Sequence, residues 1–145
     1  MSNELNGKPP TWYYVIAAVL LVWNLIGFMF YLQHATMSPD TAPQGIDASM
    51  LAFMEATPVW ATSAYAIAVN VGVLACILLF LRKSLAVPLF VISLVGALVL
   101  DFDSFVLRDV VAIWGNGAYI VPSAVIIVGL IEIWYSRSVA NRYYR

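Results

Sequence analysis

The feature that most constrains this chain is the recurrence of apolar runs of about 20 residues, the length that crosses a bilayer as a helix. They fall at about 12–32, 59–81, 85–107 and 118–135. No water reaches the backbone inside hydrocarbon, so each run must satisfy its own N–H and C=O groups, which a helix does. Composition points the same way. Hydrophobic residues make up 63% of the 145 and charged residues only 10%, against about 25% charged in soluble domains. So few charges could not cover a soluble surface. The expected architecture is all-α: a single integral membrane domain over 1–145, folded as a four-helix bundle.

The runs are joined by connections of different character. The first run is too long for the apolar core of a signal peptide, so it is expected to remain as an uncleaved membrane helix. The polar stretch before it, Met1 to Thr11, reads as a short tail. The longest connection, His34 to Thr57, holds Pro39, Pro43 and Gly45 and no Lys or Arg. Within it Asp47 precedes ASMLAFMEA, which reads as an N-capped short helix lying at the interface, with Met50, Phe53 and Met54 on its apolar side. Arg82, Lys83 and Ser84 form so tight a turn that the second and third helices must be antiparallel neighbours. Around 105–118 the pattern breaks at Arg108, Asp109 and Gly115-Asn116-Gly117. The third helix is expected to end near Ser104, with a short interfacial helix to Trp114; the alternative is a helix running past Arg108.

Charge sets the orientation. Four spans place both termini on one side, together with Lys8, Arg82, Lys83, Arg137, Arg142 and Arg145, and leave only Arg108 on the other. Cytoplasmic loops carry the excess of Lys and Arg, so both termini are expected in the cytoplasm. Net charge is −1, and no basic patch suits nucleic acid.

In the second span Ala61, Ala64, Ala68, Gly72 and Ala75 recur at three- and four-residue steps. Such a stripe of small side chains lets helix backbones approach closely in lipid. It is the chain's best packing signal.

Few polar residues interrupt the spans. Asp101 lies roughly 24 Å from Leu85 along the third helix, near the far interface. Ser93, Ala97, Asp101, Ser104 and Arg108 share one helical face, while Asp103 lies about 200° away from Asp101. Asp101, Asp103 and Arg108 are candidate ion-binding groups at an outer mouth, or ordinary helix-end charges that pair. Asn24 and Asn70 both fall near mid-bilayer, where they could bond each other or line a solute path. Glu132, near the inner end of the last span and within reach of the level of Arg82 and Lys83, reads as a snorkelling or ion-paired carboxylate, with a proton carrier as the alternative. His34 reads as an interfacial cap and Cys76 as a small hydrophobe. One cysteine and one histidine offer no metal set, and no catalytic or nucleotide motif is present, so neither cofactor nor enzyme activity is expected.

Taken in order, KPPTWYYVIAAVLLVWNLIGFMFYL, a loop with TMSP, TPVWATSAYAIAV, LRKSLAVPLFVISLVG and a Pro-bearing last span resemble a group of small bacterial four-span inner-membrane proteins. Members are commonly labelled hypothetical or sugar transporter. The resemblance implies a multi-pass bacterial inner-membrane location and this topology. Small multidrug exporters also have four spans, but their first span carries a coupling Glu, and this first span holds no acid. Two functions are expected to compete. One is a scaffold or accessory subunit, surrounded by lipid, that forms a homo-oligomer or joins a larger membrane complex through the Ala61–Ala75 stripe. The other is an oligomeric channel or transporter with Asp101 at its outer mouth.

Overall fold

The computed structural model describes residues 7–144; the first part of the expected N-terminal tail (1–6) and Arg145 lie outside the described residues. Helices run in the order α1 (Thr11–Ala35), α2 (Ala48–Glu55), α3 (Val59–Phe80), α4 (Ala86–Asp101, continued as a π-helix over Phe102–Leu107), α5 (Val111–Trp114), a 3-10 turn (Gly115–Tyr119) and α6 (Ile120–Tyr143). No strand occurs among the described residues. Four of these helical segments are long and apolar enough to cross a membrane. The chain is a multi-pass, all-helical membrane protein.

The long helices close a ring. α3 packs along both α1 and α4, and α4 packs on α6. The ring is completed between α1 and α6 by large side chains: Trp12 meets Tyr135 edge-on at 6.4 Å, and Tyr13 meets Tyr135 at 6.2 Å and Tyr143 at 5.6 Å. The start of α1 and the end of α6 therefore lie at one end of the bundle.

The small-residue stripe explains the close α3/α4 joint. Ala61, Ala64, Ala68, Gly72 and Ala75 are all buried within the chain. Gly96 of α4 faces this stripe so tightly that a Cβ there would lie 2.8 Å from the Ala64 carbonyl oxygen. The expected use of the stripe between chains is thus corrected: it holds this chain's own helices together.

The α3–α4 turn is a Schellman motif. Lys83 N–H bonds the Leu78 carbonyl at 2.9 Å and Arg82 N–H the Leu79 carbonyl at 3.0 Å. Arg82 sits at the left-handed position, φ 59°, where glycine is usual because a Cβ costs roughly 1–2 kcal/mol. Its side chain is the reason for the exception. Arg82 Nε donates to the Tyr143 carbonyl at 2.7 Å, and a second guanidinium nitrogen reaches the Gly7 carbonyl at 3.5 Å. One residue thereby ties the turn to the segment before α1 and to the end of α6.

Two further boundaries differ from expectation. The third helix does not stop near Ser104; it continues to Leu107 by changing to i→i+5 hydrogen bonding. The last helix runs on to Tyr143, so most of the basic, aromatic tail is helical. Near its end Ser136 Oγ and the Tyr144 hydroxyl share a hydrogen bond of 2.5 Å, and burial pushes the Tyr144 phenol up to about 12.

Candidate functional site

Polar side chains collect in two places inside the bundle. The first centres on Asn24, half-way along α1 on its buried face with Tyr13, Ala17 and Leu20. Its amide nitrogen donates to the Leu20 carbonyl at 2.9 Å and to Glu132 Oε1 at 2.5 Å, with Cys76 Sγ at 3.4 Å. The Leu20 carbonyl accepts only, so it fixes which way the amide points and turns an N–H toward Glu132. Glu132 is 4% exposed. A carboxyl group this deep needs a partner, and Asn24 supplies it across the α1/α6 joint.

Glycine makes room for this centre. A Cβ at Gly72 would collide with Asn24 Oδ1 and lie 2.9 Å from Ser93 Oγ. Ser93 instead donates to the Ala68 carbonyl at 2.6 Å, linking α4 to α3. Tyr13 links α1 to α3 through a 2.6 Å bond from its hydroxyl to the Leu79 carbonyl.

The second collection lies at the opposite end, in the π-helical turn. With i→i+5 spacing Arg108 falls beside Asp103 rather than below Ser104. Arg108 Nε donates to Asp103 Oδ2 at 2.7 Å, and a terminal guanidinium nitrogen approaches the same oxygen at 2.5 Å. Arg108 also donates to the Phe53 carbonyl at 2.7 Å and to Thr57 Oγ1 at 3.2 Å, and stacks over the Phe53 ring at 4.0 Å. Phe53 in turn meets Trp114 edge-on at 5.4 Å. One guanidinium gathers α2, the connection from α2 to α3 and the π-turn, and Phe53 carries the cluster on to α5.

At the start of α2, Asp47 caps the helix by accepting from Met50 N–H at 2.9 Å and from Ser49 Oγ at 2.6 Å. The Ser49 hydroxyl first, then the Met50 N–H, hold its carboxyl below the usual aspartate range.

The expected polar pairs are regrouped. Asn24 does not meet Asn70; Asn70 faces outward and, among the described residues, donates only to its own Ala66 carbonyl, at 2.8 Å. Glu132 does not pair with Arg82 or Lys83. Asp103, expected off the Asp101–Arg108 face, is the Arg108 partner and is 1% exposed. Asp101 is left without it: one carboxyl oxygen is buried with no hydrogen-bond partner among the described residues.

The Asn24–Glu132 pairing escaped the sequence reading, yet a signal was there. Gly129, Glu132, Ser136 and Val139 fall on one side of α6 and are all buried, a stripe of small and polar residues that marks the inward face. Among the described residues no three His, Cys, Asp or Glu side chains come together as a metal-binding set. Comparison with protein-family models, with curated proteins and with solved structures found no match.

Proposed function

We propose that this chain is a structural component, a scaffold or accessory subunit of a membrane assembly, and not an enzyme. The observation that carries the reading is how its polar side chains are spent. They tie α1 to α6 (Asn24–Glu132), α1 to α3 (Tyr13–Leu79) and α3 to α4 (Ser93–Ala68). A guanidinium clasps the connections at one end, and at the other Arg82 ties the α3–α4 turn to the end of α6 and to Gly7. Such groups fix helices relative to one another. Outward the long helices show large apolar side chains such as Val19, Met29, Ile67, Val95 and Ile127, suited to lipid or to a neighbouring membrane protein. The excess of Lys and Arg at the terminal end supports a cytoplasmic placement of both termini, and the resemblance of the segments to small four-span proteins supports a bacterial inner membrane.

A second reading, an oligomeric cation- or proton-coupled transporter, is favoured by one observation. Asp101 holds a buried carboxyl oxygen with no partner, and unpaired acids in spans commonly mark ion pathways. Flux in liposomes separates the two. The structural reading expects proton and cation leak no greater than that of empty vesicles. Flux that is abolished by Asp101→Asn would replace it with the second.

A further inference from the structure

The side of α3 turned away from the bundle carries Ser63, Ile67, Asn70, Leu74 and Ile77, with Leu81 at the cap just past its end, every one exposed. Their spacing alternates four, three, four, three, four. That is the 3.5-residue repeat of a helix pair wound around each other. The small-residue stripe on the opposite side is already buried against this chain's own helices, so the outward seam is the part of α3 still open to a partner.

Asn70 sits about 16 Å from the start of α3, near mid-membrane. Its amide uses one N–H on the Ala66 carbonyl of the preceding turn. The other N–H and the amide oxygen remain for something outside the chain. Hydrocarbon offers them nothing at that depth, whereas amide side chains hydrogen-bond between helices in membranes.

We propose that this seam is the contact surface for a second copy of the chain. Two α3 helices would pair in parallel about a two-fold axis along the membrane normal, with Asn70 bonded to the partner's Asn70. Copies inserted in the same sense carry Asn70 at the same depth. An amide holds both a donor and an acceptor, so it complements itself, as a two-fold contact requires. A single Asn in a heptad seam also fixes register, because any slip leaves both amides unpaired.

The proposal rests on the structural-subunit reading and names its partner and face. Single cysteines at Ile67, Leu74 and Ile77, on a Cys76→Ala background, would be oxidised in the membrane beside controls at Val19 of α1 and Ile127 of α6. Disulfide dimers from the α3 positions and not from the controls are expected. Energy transfer between labelled copies in liposomes should show that Asn70→Leu raises the dimer dissociation constant about 3- to 30-fold, with Asn70→Gln retaining most of the affinity. Cross-linking confined to Val19 or Ile127, none at any position, or an Asn70→Leu variant that pairs as tightly as the wild type would overturn it. If the α3 seam fails while the native mass exceeds one chain, this interface is wrong and the subunit reading stands. A lone chain removes both.

Discussion

Glu132 on α6 accepts a 2.5 Å hydrogen bond from the side-chain amide of Asn24 on α1, joining the first and last membrane helices deep in the bundle. The backbones of these two helices are not among the closely packed pairs. Polar and aromatic side chains hold the joint instead of small residues, and most predictions concern such joints.

Replacing Asn24 with Leu removes the donor and leaves the Glu132 carboxyl buried and unpaired. Stability should fall by about 1–2 kcal/mol, the scale of an interhelical hydrogen bond in membranes. The double variant Asn24→Leu/Glu132→Leu should lose less than the sum of the two single changes, because neither polar group is then stranded. Unfolding in mixed detergent micelles measures the cycle.

Three glycines on the inward faces should rank by what a methyl group would meet. At Gly96 it would press on the Ala64 backbone, which cannot yield, so Gly96→Ala should cost about 1–3 kcal/mol. Gly72→Ala should cost a similar amount by displacing Asn24. Gly27→Ala meets only Val69 Cγ1 at an ordinary 3.8 Å and should be neutral or slightly stabilising. Thermal unfolding of the three variants gives the order.

Arg108→Gln strands the buried Asp103 carboxylate and releases the Phe53 and Thr57 contacts. Loss of one partner of a buried pair costs about 3–5 kcal/mol, and the 18% exposure of the Arg108 side chain sets the lower end as the expectation. Hydrogen exchange should quicken across 48–57 while the cores of α1 and α3 stay protected. Arg108→Lys should rescue little, since one ammonium cannot reach all these acceptors.

The cap of α2 should respond to acid. The Asp47 carboxyl is held below its ordinary range in the folded chain. Its contribution is therefore full above the unfolded aspartate value and is lost as pH falls through the lowered folded one. Protection of residues 48–55 against hydrogen exchange, taken relative to the intrinsic amide rate at each pH, should fall on acidification in the wild type and lose that dependence in Asp47→Asn, whose side chain still caps.

Arg82→Gly should relieve the left-handed backbone yet loosen both ends of the chain. The expected result is little change in overall stability, with faster exchange near Tyr143 as its carbonyl loses the guanidinium.

Much of the fold was legible because bilayer physics leaves few choices. Four apolar runs of spanning length dictate four helices, and the Ala61–Ala75 periodicity marked the face of α3 that packs. What the stripe packs against was not legible, since small residues serve a helix of the same chain and one of another equally well. The polar site was harder for a related reason. Depth along a helix is countable, but the partner of a buried side chain depends on how neighbouring helices slide past each other. Asn24 and Asn70 share a depth and face opposite ways. At Arg108 the obstacle was local: a π-turn shifts the phase of the helix, so a wheel drawn at 3.6 residues pairs Arg108 with the wrong neighbours. Nothing in FDSFVL announces that turn.

The most direct test of the structural-subunit account is the native mass of the chain released gently from its own membrane, with every accompanying protein identified. The account predicts a mass above that of one chain, as a defined homo-oligomer or as a fixed copy number within a larger complex. A single chain accompanied by nothing but lipid would contradict it.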